Sequence, residues 1–319
     1  MVALGTVTLD LISELAHHPL PDSTNRVLGR SSSMGGQAGR GALAAARLGA
    51  GTEVLSMIGT DPFAALLRQH ADAEGLGVRW FEGEGPSQAS SILVVREGGT
   101  RTTISNTAPP ASPELLAAAA EASRSAPVVL LDCSEAALVR AVQAHRRGPT
   151  VVDTGSLKEA SLPFLRGLSH LVVPRNFLDS WVAREDPGLA TAPLEHQVAA
   201  AAAHFGSAVF LVTEGEAGGL AWQAGDTWRW AAHPVEVVDS NGAGDVFHGA
   251  LAWALARGID LAEGIDIAAW AAARKVAGPT NTTIPDAAEL QRRRPASRSK
   301  RDGTLGVHNG TQPSSSRVR

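Results

Sequence analysis

Apolar residues follow two alternating patterns through the middle of the chain. Short continuous runs alternate with alanine-rich segments in which apolar residues recur every three to four positions. The runs occupy residues 128–131, 151–152, 171–173 and 208–212, and the helical segments occupy residues 114–125, 135–147 and 194–205. A strand that is apolar at every position is typical of burial on both faces, and alternation with helices indicates a parallel sheet. The pattern therefore predicts an α/β fold with helices on both faces of the sheet.

Two stretches break this alternation. One spans residues 26–33, and the other, residues 88–106, contains two β-rich runs that flank Glu97-Gly98-Gly99. A Gly-Gly pair between such runs is typical of a β-hairpin. Because these runs are short and polar, they do not fit the core of the main sheet. They predict either a small β-structured flap over a pocket or a surface hairpin without a role in function.

Composition and charge narrow the class of protein. With 319 residues, 44% apolar and 19% charged, the chain resembles soluble proteins with one large or two small domains. A net charge of −4 argues against non-specific nucleic-acid binding as the main activity. The single cysteine, Cys133, excludes an internal disulfide framework and a multi-cysteine metal site. Its apolar neighbours favour a buried, unreactive thiol.

The two ends of the chain carry different signals. The first residues lack the basic segment and long apolar run of a signal peptide. No stretch reaches the roughly 18 to 20 apolar residues that cross a bilayer, so we expect a cytoplasmic protein without a membrane partner. Residues 291–319 are basic and poor in apolar residues. We expect a disordered tail there, with a nucleic-acid contact or a targeting signal as the alternatives.

The strongest chemical signal is the string D-S-N-G-A-G-D at residues 239–245, between an apolar run and a helical pattern. Glycines at such a junction let backbone amides approach a ligand closely. The free N–H groups of a first helical turn attract an anion. An aspartate in the same turn can accept a hydroxyl proton while the amides hold the charge of a transferring phosphoryl group. The string favours phosphoryl transfer over a helix start without a ligand.

This string resembles the C-terminal signature D-T-x-G-A-G-D of the PfkB/ribokinase family of carbohydrate kinases, with Ser240 in place of threonine. The resemblance implies that Asp245 is the catalytic base. It also implies that Gly242, Ala243 and Gly244 form the anion hole. In this family the residue at Asp239 often helps to shape a loop that binds a monovalent cation, here expected to be K⁺.

A second match lies near the N-terminus. Residues 35–49 are similar to the family signature G-G-N-x-A-N-x-A followed by A-x-L-G. The resemblance implies that the backbone of Gly35 and Gly36 touches the sugar and that Asp10, just after the first predicted strand, binds sugar hydroxyls. Arg40 stands where many members place a sugar-contacting asparagine. An arginine there favours a substrate with an anionic group, or its side chain turns elsewhere.

Two further elements of the family follow in order. Residues 176–179 resemble the N-x-x-E element near magnesium and the phosphates, with Asp179 in place of glutamate as the metal ligand. Residues 212–218 resemble the strand and turn that lie along the nucleotide. The nucleotide-binding residues that these elements imply are Asn176, Thr213, Gly215 and Gly218. ATP with Mg²⁺ would be the phosphoryl donor.

The resemblance covers residues 1–290 and implies a ribokinase-like fold, a parallel-sheet sandwich with a small β lid. The lid would comprise residues of about 13–34 and 87–107, and its closure would exclude water from the reaction. Asn106, at the end of the second lid segment, would contact the sugar. Family members often pair through their lids, so a homodimer is the expected assembly.

The residues after Asp245 bear on the substrate. Phe247-His248-Gly249 is closer to the sulfofructose kinase and ketohexokinase-like branch than to ribokinase, which implies a ketose or an acidic sugar derivative. Residues 133–135 contain no basic residue where that branch carries an arginine, so sulfofructose itself is not favoured. One alternative is a nucleoside kinase, which would need aromatic residues in the lid. The other is a non-catalytic sugar- or nucleotide-binding sensor.

Overall fold

The structure of the protein is a computed structural model that describes residues 1–97 and 100–293. The strands are β1 (Val2–Leu4), β2 (Thr8–Leu15), β3 (Gly29–Gly35), β4 (Glu53–Ile58), β5 (Val78–Glu82), β6 (Ala89–Val95), β7 (Thr100–Ser105), β8 (Val129–Asp132), β9 (Thr150–Asp153), β10 (His170–Pro174), β11 (Val209–Thr213), β12 (Gly219–Gln223) and β13 (Asp226–Trp230). The α-helices are α1 (Gln37–Arg47), α2 (Pro62–Ala73), α3 (Pro113–Ser125), α4 (Ala136–His145), α5 (Arg175–Glu185), α6 (Leu194–Phe205), α7 (Ala243–Ala256), α8 (Leu261–Val276) and α9 (Ala287–Arg292).

The main sheet has the strand order β13-β12-β11-β10-β9-β8-β1-β4-β5, parallel from β11 to β5 and antiparallel at β12 and β13. Successive residues of a strand point to opposite faces, and both faces are covered. Leu130 belongs to an apolar core with residues of α1, α2, α7 and α8. Val129 and Leu131 belong to a second core with residues of α3 to α6. The predicted α/β fold with helices on both faces is confirmed.

A second sheet has four strands in the order β3-β2-β6-β7, in which β2 pairs antiparallel with β3 and parallel with β6. The predicted lid segments contribute β3, β6, β7 and the second half of β2. The sheet begins earlier than the sequence pattern indicated, because β2 starts at Thr8. Asp10 is therefore a strand residue, paired with Ser33 on β3 and Ser90 on β6. Two neighbouring strands thus fix its backbone.

The edge of the main sheet where the parallel strands end is rich in polar residues. β1 has β4 on one side and β8 on the other, so the strand order reverses there. In open parallel sheets, ligands bind beyond the carboxyl ends of the strands at such a reversal. Polar residues at or just after the carboxyl ends of adjacent strands are Thr6, Asp132, Asp153, Asn176 and Glu214. This edge is therefore the expected location of a ligand-binding site.

The last helix marks the end of the described chain. A capping box of Asp286 and Glu289 begins α9, and Arg293 just beyond the helix bonds to Asp266. The predicted basic tail thus starts inside α9, and residues 294–319 lie outside the described residues.

Within the described ranges, no helix is long and apolar enough to cross a membrane. Cys133 is buried, and burial raises the pKa of its thiol to about 12.

Helices α1 and α7 cross at two glycines. A Cβ atom on Gly249 would lie 1.9 Å from the carbonyl oxygen of Gly41, and one on Gly41 would lie 2.7 Å from the Leu130 side chain. No side chain fits between backbones that approach this closely. The crossing brings Arg40, which precedes Gly41, next to the first turn of α7. It fixes the distance between the two helices that carry the N-terminal and C-terminal motifs.

We expect Gly249→Ala to lower the free energy of unfolding by about 1 kcal/mol or more, because the clash with backbone outweighs the gain in helix propensity. Urea denaturation would measure the change. The control is Gly51→Ala, since a Cβ atom on Gly51 meets no atom within 4 Å. A Gly249→Ala protein as stable as this control would show that the crossing tolerates a side chain.

Candidate active site

The glycine-rich turn leads directly into α7. Gly242 is the N-cap residue in a left-handed conformation with φ of +77°, and the first helical hydrogen bond runs from Val246 N–H to its carbonyl. The amides of the first helical turn precede that bond and have no partner within the helix. A Cβ atom on Gly244 would meet nothing within 4 Å, so the turn is open on that side. The positive end of α7 therefore offers an accessible anion site.

A buried arginine joins the two predicted functional carboxylates. Arg40 donates from Nη1 to Oδ2 of Asp245 and from Nη2 to Oδ2 of Asp10, each at 2.7 Å, and from Nε to Oδ1 of Asn281 at 3.0 Å. Arg40 and Asp10 are each 4% exposed. Burial alone would lower the pKa of Arg40, but Asp245 and Asp10 together raise it above its usual value. The guanidinium is thus a fixed cation between two carboxylates.

Glycines make room for this bridge. A Cβ atom on Gly35 would lie 2.3 Å from Oδ2 of Asp10, and one on Gly242 would lie 2.3 Å from Cδ of Arg40. Gly36, at the start of α1 with φ of +87°, lies against the carbonyl of Thr6 in the same way. One glycine from each sequence motif, Gly35 and Gly242, is therefore needed for packing against the charged residues, whether or not its backbone touches a sugar.

The lid reaches the site through Arg101 rather than through Asn106. The Asn106 side chain accepts a hydrogen bond from Ala89 N–H and donates to the carbonyls of Ser87 and Thr107. It thus ties together the two strands at the base of the lid hairpin. Arg101 on β7 donates from Nη1 to Oδ1 of Asn241 at 3.2 Å, so the lid touches the loop before the glycine turn. The sequence analysis missed this contact.

A second buried network supports the glycine turn from the side of the main sheet. Asp153, the last residue of β9, accepts from Nε2 of Gln37 at 2.6 Å and lies 3.2 Å from Nδ1 of His248. His248 also lies 2.6 Å from the Gly244 carbonyl and 3.0 Å from the Val172 carbonyl. Burial raises the pKa of Asp153, and His248 opposes that shift. His248 thus packs α7 on the sheet and braces Gly244.

A cleft of about 160 Å³ lies near the reversal between β1 and β8. Its lining includes Thr6, Gln88, Asp132, Ser134 and Glu135. Asp132 accepts hydrogen bonds from the backbone and hydroxyl of Thr6 and of Ser134. Oε1 of Gln88 is buried and has no hydrogen-bond partner among the described residues. The strand-ending aspartates 132 and 153 were a signal that could have located this region from sequence.

The residues expected to contact the nucleotide gather at the carboxyl ends of β10 and β11. Asn176 is the second residue of α5, and Thr213 ends β11. Gly215 and Gly218 have positive φ values of 60° and 83° in the turn into β12. A Cβ atom on Gly218 would lie 2.0 Å from the Trp230 carbonyl, so this turn packs on the end of β13. These residues therefore share one edge of the sheet with Asp153.

Asp179 lies one helical turn beyond Arg175, which binds it. Arg175 donates from Nε to Oδ1 of Asp179 at 2.8 Å and from Nη1 to Oε1 of Glu214 at 3.0 Å. The Asp179 side chain is 54% exposed. Across residues 1–97 and 100–293, no group of three or more His, Cys, Asp or Glu side chains forms a metal cage. A carboxylate oxygen is a ligand that Mg²⁺ prefers, and Asp179 offers one near the ends of β10 and β11.

Asp239 does not fit the role of ligand to a free monovalent cation. The Lys275 ammonium donates to its carbonyl oxygen at 2.8 Å and to its Oδ2 at 2.9 Å, and Oδ1 accepts from Asn241 N–H. The Lys275 side chain is fully buried. The oxygens expected to bind K⁺ are therefore occupied by an amine of the protein. The sequence signal was a lysine in the last turn of a helical pattern rich in apolar residues.

Comparison with known proteins settles the family. The sequence profile described as pfkB family carbohydrate kinase matches residues 1–286. This chain belongs to the pfkB family. A fructokinase from Klebsiella pneumoniae is 28% identical over 293 residues, which cover 80% of this chain and 84% of the relative. Fructoselysine 6-kinase from Escherichia coli (strain K12) is 48% identical over 42 residues, 13% of this chain and 16% of the relative.

The fold of this pfkB-family kinase is shared with solved structures. The ribokinase of Arabidopsis thaliana, complexed with ribose and ATP, has a TM-score of 0.76 at 22% identity. The superposition covers 91% of this chain and 97% of that chain. At this identity the likeness concerns the fold, and it confirms the ribokinase-like architecture. The family match confirms the predicted class of enzyme, a sugar kinase.

We expect Arg40→Gln to destabilise the kinase by about 3 kcal/mol, because it leaves buried Asp10 without its counter-charge. Urea denaturation would measure the free energy of unfolding. The control is Arg96→Gln, which removes an exposed ion pair with Glu14 and should cost about 0.5 kcal/mol or less. Small and equal losses in both variants would contradict the view that the guanidinium holds the site together.

Proposed function

We propose that this kinase transfers the γ-phosphoryl group of ATP to a hydroxyl of a ketose, with Asp245 as the general base. The observation that carries the proposal is the bridge from Asp10 through Arg40 to Asp245. In this bridge one guanidinium holds both Asp10, a carboxylate suited to hydroxyl binding, and Asp245, the candidate base. The base also lies in the first turn of α7, where an anion would bind.

The bridge suggests how a sugar would be oriented. Both carboxylates accept hydrogen bonds from the same guanidinium group, so one small sugar could reach both. Asp10 would accept from hydroxyls of the sugar, and Asp245 from the hydroxyl that attacks. The Asp245 side chain is 16% exposed against 5% for Asp10, so the base is the more accessible of the two. A carboxylate within hydrogen-bond reach of the attacking hydroxyl can remove its proton.

The glycine turn would hold the phosphoryl group. Negative charge on its oxygens during transfer would face the amides of Gly242, Ala243 and Gly244 and the positive end of α7. These amides are fixed before the reaction by Gly242 packing on Arg40 and by His248 at the Gly244 carbonyl. Such a site does not need to reorganise as the charge moves. Asp179 is the carboxylate that would help to hold Mg²⁺, which would supply charge neutralisation for the phosphates.

The nucleotide would lie between the β11–β12 turn and the glycine turn. Asn176, Thr213, Gly215 and Gly218 form one end of this path. The loop from β13 to α7 starts beside Gly218 and ends at the glycine turn, and its Val237 and Val238 are 61% and 59% exposed. Exposed apolar side chains suit the face of an adenine ring. This path would bring the γ-phosphate to the first turn of α7.

A neutral ketose fits the site better than an acidic sugar. Arg40 is the basic residue that could bind an anionic group of the substrate. Its guanidinium already donates hydrogen bonds to two carboxylates and an asparagine. The fructokinase and fructoselysine 6-kinase relatives both have a fructose unit in their names. The cleft beside Thr6 and Glu135 would accept a substituent on the ketose. We therefore propose fructose or a fructose derivative without a charge at the Arg40 end.

Two features bear on the alternatives. The four lid strands contain no Phe, Trp or Tyr, so they offer nothing on which a nucleoside base could stack. The Arg101–Asn241 contact indicates how lid closure would reach the reacting groups and exclude water.

We also propose a homodimer that forms through the lid, since Ile104 and Leu28 are exposed at the edges of the lid sheet. Light scattering that gives the mass of a single chain would contradict it.

The test is ATP consumption with Mg²⁺ over a panel of fructose, other ketoses, aldoses, sugar phosphates, fructosamines and nucleosides. With the best substrate, we expect Asp245→Asn to lower turnover at least about 100-fold, because the general base is lost. Binding of ATP, measured by calorimetry, should remain. The control is Asp72→Asn, an exposed aspartate on α2. Turnover of Asp245→Asn near the wild-type rate would exclude Asp245 as the base.

A further inference from the structure

We propose that the ammonium group of Lys275 is a built-in replacement for an exchangeable monovalent cation at the loop before the glycine turn. The kinase would then need no K⁺ for stability or, if the proposed function holds, for turnover. Lys275 would be a positioning residue, since it acts on the phosphate-binding turn through Asp239 and contacts no reacting group.

The geometry at Lys275 is that of a bound cation. Its ammonium lies 2.8 Å from the carbonyl oxygen and 2.9 Å from Oδ2 of Asp239. A carbonyl and a carboxylate oxygen are the ligands that a hard cation prefers. The lysine is 0% exposed, whereas the Asp239 side chain is 20% exposed. A second cation at these oxygens would meet the repulsion of a buried positive charge.

The electrostatic balance keeps the amine in place. Burial lowers the pKa of Lys275, and the hydrogen bonds and charge of Asp239 oppose that shift. Lys275 lies in the last turn of α8, where the helix dipole favours a positive charge. The covalent tether also removes the entropy cost of recruiting a free ion from solution. These conditions explain why a lysine can serve where another chain would use a diffusible cation.

Contacts lead from Lys275 to the phosphate-binding turn. Val238 and Asp239 both donate backbone N–H bonds to the carbonyl of Val276, the residue after Lys275. Oδ1 of Asp239 in turn accepts from Asn241 N–H, and Asn241 precedes Gly242. The end of α8 therefore holds the loop at two successive residues, Val238 and Asp239. Loss of the charge at Lys275 would free Asp239 and loosen the turn.

The same segment also reaches Arg40. The Lys275 carbonyl accepts from the Thr283 hydroxyl, which folds the chain after α8 back on itself. This fold carries Asn281, whose side chain bonds to Nε of Arg40 and to the Met34 carbonyl. Lys275 thus stabilises one segment that supports both the glycine turn and the carboxylate bridge.

The wild-type kinase should not respond to the identity of the monovalent cation. We expect the same melting temperature in KCl, NaCl and choline chloride at equal ionic strength. With the best sugar substrate, kcat/KM should also agree within about twofold, since no site exchanges its cation. Activation by K⁺ of about tenfold or more over choline would overturn the proposal, because it would require a free-cation site.

Lys275→Ala should create the cation dependence that the wild type lacks. In choline chloride we expect a lower melting temperature and a turnover about 10- to 100-fold lower, the effect of a misplaced turn. KCl or NH₄Cl should restore much of both. Lys275→Met fills the space without a charge and should not be restored. The control is Arg274→Ala, an exposed neighbour paired with Glu289, which should show no cation response.

The thermal readout separates this proposal from the proposed function. If no sugar is phosphorylated, K⁺-dependent melting of Lys275→Ala with cation-independent melting of the wild type still supports the built-in cation. A Lys275→Ala protein with the same melting temperature in all three salts would overturn it. Should this variant fail to fold in every salt, the wild-type comparison decides the question alone.

Discussion

The ion pairs of the Arg40 guanidinium are the constraint on which the candidate site depends. Three separate parts of the chain converge on it: a lid strand through Asp10, the first turn of α7 through Asp245, and the segment after α8 through Asn281. Burying one arginine without partners would be very costly, and so would burying Asp10. The fold therefore has to bring these groups together for any of them to be stable inside. The position of the proposed base relative to the proposed sugar-binding carboxylate follows from that requirement.

The remaining contacts hold the elements that carry these charges. The Gly41–Gly249 crossing sets the spacing of α1 and α7, and His248 fixes α7 against the ends of β9 and β10. Lys275 holds the loop that enters the glycine turn. Because each support acts on backbone near the turn, the amides are oriented before a ligand arrives. Such preorganisation is the main contribution a protein can make to phosphoryl transfer, where positioning and charge stabilisation dominate.

The sequence predicted the sheet and its helices well because buried parallel strands and amphipathic helices have distinct local periods. Helices expected at residues 114–125, 135–147 and 194–205 agree with α3, α4 and α6 within two residues at each end. The glycine turn was also predictable, since its chemistry lies within seven consecutive residues. Asp10 was expected beyond the first strand, but its place within β2 depends on pairing with β3 and β6. Such pairing between distant segments leaves no local pattern.

The partners of Arg40, Asn106 and Asp239 could not be predicted from local sequence patterns. Arg40 was expected either to face an anionic group or to turn elsewhere, and its counter-charges come from Asp10, 30 residues away, and from Asp245, 205 residues away. The Asn106 side chain hydrogen-bonds to backbone groups of the lid. The Asp239 carboxylate pairs with the ammonium of Lys275, 36 residues further along the chain. In each case the expected role followed from the match to the family pattern. The actual partner of each side chain is set by tertiary packing.

The most direct test of this account is a crystal structure of the kinase with a ketose and a non-hydrolysable ATP analogue. The account predicts a sugar hydroxyl about 2.6–3.2 Å from the Asp245 carboxylate and a second hydroxyl on Asp10. The terminal phosphate of the analogue should lie on the amides of Gly242, Ala243 and Gly244. A sugar bound away from Asp10 and Asp245, or a terminal phosphate remote from the glycine turn, would contradict it.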